Sequence, residues 1–181
     1  MKKSKISIIG LGYVGLPILA TISKKTHLYG HDINTKLIYN LKKKKFDISE
    51  PGLSKILERS INKNKIKFTN QLLKSDIYYV AVPTPILKNL KVDLSHIYSA
   101  IDEIANLLED NNLIIITSTV PVGTTKKLYN YLRKKTKNKI HFYMSFTPET
   151  ILPGKALYEL ENNSKIIGGI NKKSSVVTEK F

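Results

Sequence analysis

The sequence contains no cysteine in its 181 residues. This absence excludes disulfides, cysteine-ligated zinc and a thiolate nucleophile from the chain, and we predict no metal site. No run of about 20 apolar residues occurs, so no membrane-spanning helix is predicted. Arginine is also scarce, with only Arg59 and Arg133 among the 30 basic residues. Because nucleic-acid surfaces favour arginine for bidentate contacts, we expect no nucleic-acid partner.

The formal net charge of +16 comes almost entirely from lysine. Lysine, isoleucine, asparagine and tyrosine are all abundant, and their codons are rich in A and T, so one interpretation is compositional bias of the genome. The other interpretation is attraction of an anionic ligand, which a nucleotide cofactor would satisfy without nucleic acid. Both interpretations remain open at this point.

The first 20 residues have a lysine-rich start followed by an apolar run, as in a secretory signal peptide. Gly10, Gly12, Gly15 and Pro17 interrupt the apolar run, however, and no clean small-residue cleavage site follows. We therefore expect a cytoplasmic protein.

Short apolar strands alternate with helix-period segments along the chain. The predicted strands are 5–9, 27–31, 66–69, 77–82, 113–117, 140–146 and 165–168. The predicted helices are 15–25, 34–43 and 124–135, with further helical stripes after Pro51-Gly52 and from Ile97 to Leu108. This alternation predicts an α/β fold with a doubly wound parallel sheet of the Rossmann type.

A GLGYVG motif places glycines at Gly10, Gly12 and Gly15, between a predicted strand and a predicted helix. In this context Gly10 permits a tight turn, Gly12 lets the backbone approach a pyrophosphate, and Gly15 allows close helix–strand packing. Asp32 lies at the end of the second predicted strand, directly after residue 31, where a carboxylate can accept hydrogen bonds from a ribose hydroxyl and would repel a 2′-phosphate. The motif therefore predicts NAD, rather than NADP, as the cofactor.

Three further loops follow predicted strands and should meet at the same edge of the sheet. The first, AVPTP (Ala81–Pro85), carries the hydroxyl of Thr84, and the second is STVPVGTT (Ser118–Thr125). The third, TPETILPG (Thr147–Gly154), presents Glu149 between two prolines. Each loop alone is compatible with an ordinary turn, with Thr124 capping the next helix in the second. Their convergence on one edge favours a binding site.

The ordered set GLGYVGLP, EPGL (Glu50–Leu53), VAVPTP, STVPVGTT, Pro148-Glu149 and KIIGG (Lys165–Gly169) resembles the UDP-glucose/GDP-mannose dehydrogenase family. The resemblance covers essentially the whole chain. Within the family, the segment from Leu152 to Gly169 is most similar to UDP-N-acetyl-D-mannosamine dehydrogenases.

The resemblance implies a two-step, NAD-dependent oxidation of a UDP-sugar C6 alcohol to the uronic acid. In the family a cysteine forms a thiohemiacetal and then a thioester, a lysine stabilises oxyanion charge, and water hydrolyses the thioester. Thr119 and Glu149 match the residues that hold and activate this water. The positions that match cofactor contacts are Gly10, Gly12, Tyr13, Val14, Gly15, Asp32, Thr84 and Thr119, and those that match UDP-sugar contacts are Thr150 and Ile151.

The chain departs from the family pattern in several places. Thr150 stands where arginine is usual after Pro-Glu, and Leu37 stands where a basic residue is usual after the ribose aspartate. The resemblance implies that residues 1–170 form the NAD-binding domain and that 171–181 begin a connection to a central helix and second domain. The catalytic lysine and cysteine belong to that second part, which this chain lacks. A homodimer is expected only where that part is present.

Two alternative functions remain open from the sequence. The chain could be a stand-alone NAD-binding module without catalysis, or a remnant without function. A module would bind dinucleotide as a stable monomer, whereas a remnant would expose apolar surface where a second domain should dock.

Overall fold

A computed structural model describes residues 4–181. Within this range the chain forms seven strands and seven helices. In chain order they are β1 (Ile6–Ile9), α1 (Gly15–Ser23), β2 (Leu28–His31), α2 (Thr35–Lys42), α3 (Leu53–Asn62), β3 (Ile66–Thr69), β4 (Ile77–Val80), α4 (Ser95–Ala105), β5 (Leu113–Ile116), α5 (Thr124–Lys135), β6 (Tyr143–Phe146), α6 (Ala156–Asn162), β7 (Gly168–Gly169) and α7 (Lys172–Glu179).

The strands form one sheet in the order β3-β2-β1-β4-β5-β6-β7. The first six strands are parallel, and β7 adds to the edge antiparallel to β6. The predicted α/β, doubly wound sheet is therefore confirmed. From β1 the chain continues to β2 on one side of it, and from β4 it continues to β5 on the other side. The strand order therefore reverses between β1 and β4. This arrangement opens a crevice beyond their carboxyl ends.

The sheet is covered on its two faces by different helices. Helices α1 to α3 pack on β1, β2 and β3, and helices α4 and α5 pack on β4, β5 and β6. All four residues of β5 are buried, as the continuous apolar run predicted for a strand covered on both faces. No helix within residues 4–181 is long and apolar enough to cross a membrane.

Several boundaries differ from the sequence-based expectation. Strand β6 begins at Tyr143 rather than Ile140, because Tyr143 pairs with Leu113, the first residue of β5. The prediction of a strand over 165–168 is wrong in extent, since only Gly168 and Gly169 join the sheet. Thr124 is the first residue of α5 rather than its cap, a position that Gly123 takes with φ +84°.

Helices α6 and α7 were not predicted. The buried residues of helix α7 are Ser174 and Thr178, which carry hydroxyl groups rather than apolar side chains. Thr178 Oγ1 lies 2.8 Å from Ser145 Oγ on β6, so a buried hydroxyl pair joins the helix to the sheet. The segment 171–181 thus packs on the sheet, and its assignment as the start of an interdomain connection stays a prediction.

Candidate functional site

A cavity of about 630 Å³ lies beyond the carboxyl ends of the strands, at the point where β1 and β4 diverge. Its walls come from the glycine turn, the end of β2, the loops after β4 and β5, helix α4 and the segment after β6. The lining residues of these six parts include Gly10, Gly12, Tyr13, Val14, His31, Asp32, Ile33, Thr84, Glu103, Ser118, Thr119, Glu149 and Ile151. The four sequence motifs therefore do meet at one site.

The three glycines of the turn have different surroundings. Gly10 has φ +88°, and a Cβ there would lie 2.6 Å from the Ala81 carbonyl oxygen. A Cβ on Gly15 would collide with the Gly10 carbonyl oxygen, which makes Gly15 a packing residue outside the cavity lining. A Cβ on Gly12, by contrast, would meet no atom of the described chain within 4 Å. The fold itself therefore does not require a glycine at this position, and the open space admits a ligand close to the backbone.

The turn also presents unused donors to the cavity. The backbone N–H groups of Gly12, Tyr13 and Val14 donate to no atom among residues 4–181. They lie just before α1, where the helix dipole adds partial positive charge. Such an arrangement is suited to a phosphate or pyrophosphate group.

Asp32 lies directly beyond β2 and lines the cavity. Its Oδ2 accepts a hydrogen bond from Leu11 N–H at 2.9 Å, and its Oδ1 accepts one from Asn34 N–H at 2.9 Å. The carboxylate is therefore fixed against the glycine turn. Each oxygen keeps a further lone pair for a ligand hydroxyl.

The loops after β4, β5 and β6 are tied to one another by hydroxyl groups. Thr84 Oγ1 donates to the Thr119 carbonyl at 2.7 Å, and Ser118 Oγ donates to the Val82 carbonyl at 2.7 Å. Thr117 Oγ1 donates to the Thr147 carbonyl at 2.7 Å. The Thr84 proton is thus used within the protein, and its oxygen remains available as an acceptor. This cross-bonding fixes Thr119 at the cavity wall.

The side chain of Glu149 is only 6% exposed, yet it lines the cavity. Its Oε1 accepts from Thr150 N–H at 2.9 Å and Ile151 N–H at 3.0 Å, and Lys165 Nζ lies 3.7 Å from the same oxygen. All contacts found within residues 4–181 use Oε1, so Oε2 is left for a water or ligand. Glu149 also affects the pKa of Tyr79. Burial is the main cause that raises this pKa, and the negative charge of Glu149 raises it further.

The two positions matched to sugar contacts differ in place. Ile151 lines the cavity, whereas Thr150 is exposed and lies outside the lining. Their role in substrate binding stays a prediction.

Glu50, quoted in sequence only as part of EPGL, has a defined structural role. Its buried carboxylate accepts from Gly154 N–H at 3.0 Å and from Leu157 N–H at 3.3 Å. The Tyr13 hydroxyl lies 3.5 Å from the same carboxylate. Burial raises the pKa of Tyr13, and the charge of Glu50 raises it further. Glu50 thus holds the segment after Glu149 against the glycine turn.

Sequence reasoning missed the polar wall formed by His31 on β2 and by His96, Ser99 and Glu103 on α4. The signal was present as a spacing of three and four residues, which places the α4 residues on one helix face. The apolar stripe of the same helix, which includes Ile97, Ile101 and Ile104, is the stronger periodic signal.

Comparison with known proteins decides the family. Residues 4–181 match the family model described as the UDP-glucose/GDP-mannose dehydrogenase family, NAD binding domain.

The chain belongs to this family.

The nucleotide-sugar dehydrogenase resemblance seen in the motifs is therefore confirmed, and so is NAD as the cofactor. A UDP-N-acetyl-D-mannosamine dehydrogenase of Methanococcus maripaludis strain C7 is 39% identical over 182 residues, covering 98% of this chain and 41% of that protein. A structure of the UDP-D-ManNAc dehydrogenase from Pyrococcus horikoshii aligns with a TM-score of 0.93 at 32% identity, covering 97% of this chain and 43% of the other. A UDP-N-acetyl-mannosamine dehydrogenase from Staphylococcus aureus aligns with a TM-score of 0.88 at 33% identity, covering 98% and 44%.

The chain thus spans about two fifths of the length of these relatives. Its residues fit the NAD expected of this nucleotide-sugar dehydrogenase domain. The open space at Gly12 and the unused amides beside it suit the pyrophosphate, and the fixed carboxylate of Asp32 suits a ribose hydroxyl.

Proposed function

We propose that this domain is the cofactor-binding half of a UDP-N-acetyl-D-mannosamine 6-dehydrogenase, which oxidises the sugar C6 alcohol to the carboxylate. The observation that carries the proposal is the position of the Glu149 carboxylate. It lines the same cavity as the glycine turn and Asp32, so an acid–base group lies in the cavity that suits the dinucleotide. The names of the Methanococcus and Pyrococcus relatives support the choice of sugar.

In this proposal Gly12, Tyr13 and Val14 bind the pyrophosphate through backbone N–H groups, and Asp32 binds the ribose. NAD supplies the hydride acceptor when it is bound. Glu149 holds a water through Oε2 and takes its proton while the water oxygen attacks the thioester carbonyl and the cysteine thiolate leaves. The two backbone bonds to Oε1 keep the carboxylate oriented. Thr119, fixed through its carbonyl by Thr84, offers its hydroxyl to the same water.

The nucleophilic thiol that this chemistry needs is not in the chain, because the sequence has no cysteine. It must come from a second polypeptide segment, corresponding to the part of the relatives that this chain does not cover. Binding of NAD therefore belongs to this domain, and turnover requires both parts.

The test is a fusion of this chain to the remaining segment of the Methanococcus maripaludis relative. NADH formation is measured by absorbance with UDP-N-acetylmannosamine, UDP-N-acetylglucosamine and UDP-glucose. We expect turnover with the first substrate, and a loss of at least about a hundredfold in Glu149→Gln. Glu58→Gln is the matched control, because Glu58 is exposed on α3, away from the cavity.

Thr119→Val in the same fusion tests the second proposed residue, with a smaller loss of about tenfold expected. Preference for UDP-glucose would refute the substrate assignment. A fusion that binds NADH but oxidises none of the sugars would favour the stand-alone binding module instead.

A further inference from the structure

The polar wall of the cavity is not explained by the dinucleotide motifs. His96, Ser99 and Glu103 lie on one face of α4 and line the cavity. His31, the last residue of β2, lies against this wall, with its Nε2 3.2 Å from Glu103 Oε2. The glycine turn and Asp32 suit the pyrophosphate and the ribose, so this cluster is left to contact another polar part of a ligand.

His31 is the most unusual member of the cluster. Its side chain is only 1% exposed, and neither ring nitrogen has a hydrogen-bond partner among residues 4–181. The contact of Nε2 with Glu103 Oε2 lacks the direction of a hydrogen bond. A buried polar group without a partner is unfavourable, and native proteins rarely keep one unless a water, ion or ligand satisfies it.

The carboxylate of Glu103 complements this imidazole chemically. It is 35% exposed and lines the same cavity. An ionised carboxylate only accepts hydrogen bonds, whereas an imidazole can donate one. The pair therefore matches a ligand edge that carries an amino donor beside a ring-nitrogen acceptor, which is the edge of adenine.

We propose that His31 and Glu103 form a base-recognition pair that selects the 6-amino group of adenine in the bound dinucleotide. This rests on the proposed function only in that a dinucleotide occupies the cavity. Glu103 accepts from the amino group. Both ring nitrogens of His31 are buried in the free domain, so His31 donates to the purine ring after a rotation of its side chain. A base with a carbonyl at position 6 instead sets one acceptor against another and is rejected.

The test is calorimetric titration of the 181-residue chain with NAD and with nicotinamide hypoxanthine dinucleotide. The second base has a 6-oxo group in place of the 6-amino group and carries a hydrogen on N1. We expect NAD to bind about tenfold more tightly. In Glu103→Gln the amide can present either a donor or an acceptor, so the preference should fall to about twofold or less. Glu109→Gln is the matched control, because Glu109 contacts Lys74 outside the cavity and should keep the tenfold preference.

His31→Leu separates a ligand-directed histidine from a structural one. Removal of an unpaired buried polar group should leave the melting temperature of the free chain unchanged or higher, while NAD binds about fivefold more weakly. A lower melting temperature with unchanged NAD affinity would assign His31 to the core and overturn its role. Equal affinity of the wild-type chain for both dinucleotides would overturn base recognition and leave NAD binding intact. Failure to bind either one would refute the proposed function as well.

Discussion

Asp32 is the residue at which fold stability and cofactor choice are most closely connected. Its carboxylate accepts from Leu11 N–H on the glycine turn and from Asn34 N–H at the start of α2. Replacement by alanine removes both bonds from a half-buried position. At about 1 kcal/mol each, the free energy of unfolding should fall by about 2 kcal/mol, which lowers the melting temperature of a chain of this size by about 4–8 °C.

The same substitution should change cofactor preference more strongly. Loss of the charged acceptor for the ribose hydroxyl weakens NAD binding by about 2 kcal/mol, or roughly 30-fold. Unit charges 4 Å apart near a surface repel by about 4 kcal/mol, and we take half of that value because Asp32 is partly exposed to solvent. NADP binding should therefore improve by about 2 kcal/mol, and the ratio of the two affinities should shift roughly a thousandfold.

The assay is a parallel titration with NADH and NADPH, followed by nucleotide fluorescence or calorimetry, with thermal unfolding of each variant. Asp47→Ala is the control, because Asp47 is exposed and does not line the cavity. If Asp32→Ala loses stability but keeps the same NADH-to-NADPH ratio, Asp32 serves the glycine turn alone, and our reasoning about the ribose is wrong.

Three further predictions follow from the contacts of the site and of α4. Gly12→Ala should fold normally but bind NADH at least tenfold more weakly, whereas Gly15→Ala should lose about 3 kcal/mol of unfolding free energy, because its Cβ would meet a backbone carbonyl. Calorimetric titration and urea unfolding of both variants distinguish these outcomes. Glu50→Gln should lower the unfolding free energy by about 2 kcal/mol in the same urea assay, because a buried acceptor of two backbone N–H groups loses its charge. For Asp102, the bond from Lys135 holds the carboxyl pKa below its usual value, and the pair is substantially exposed. The wild-type chain should therefore exceed Asp102→Asn in stability by less than about 1 kcal/mol above pH of about 4, and this difference should vanish as the pH falls through the lowered pKa.

Each of these predictions has a contrary result. Gly12→Ala with full NADH affinity would remove the turn from the pyrophosphate site, and a stable Gly15→Ala would contradict the close packing of α1. A Glu50→Gln chain as stable as wild type would mean that the neutral amide accepts the backbone N–H bonds as well as the carboxylate does. A stability difference for Asp102→Asn that persists at the lowest pH would show that the bond does not depend on ionisation.

Much of the site could be predicted from the sequence because its signals are local. A glycine turn between a strand and a helix needs only neighbouring residues to specify it, and Asp32 follows from the length of one βαβ unit. The loops with Thr84, Thr119 and Glu149 each follow an apolar strand, and the carboxyl ends of parallel strands share an edge. Local order and chain topology therefore located these residues together.

The sequence alone determined the α/β class, the parallel core of the sheet and the position of its cofactor crevice, because hydrophobic period and glycine spacing act over short distances. Only the tertiary structure decided the contacts between residues far apart in the chain. Glu50 meets Gly154 across 104 positions, and β2 brings His31 to the face of α4 that carries Glu103. Such pairs depend on how helices cross the sheet, and no local pattern encodes that geometry.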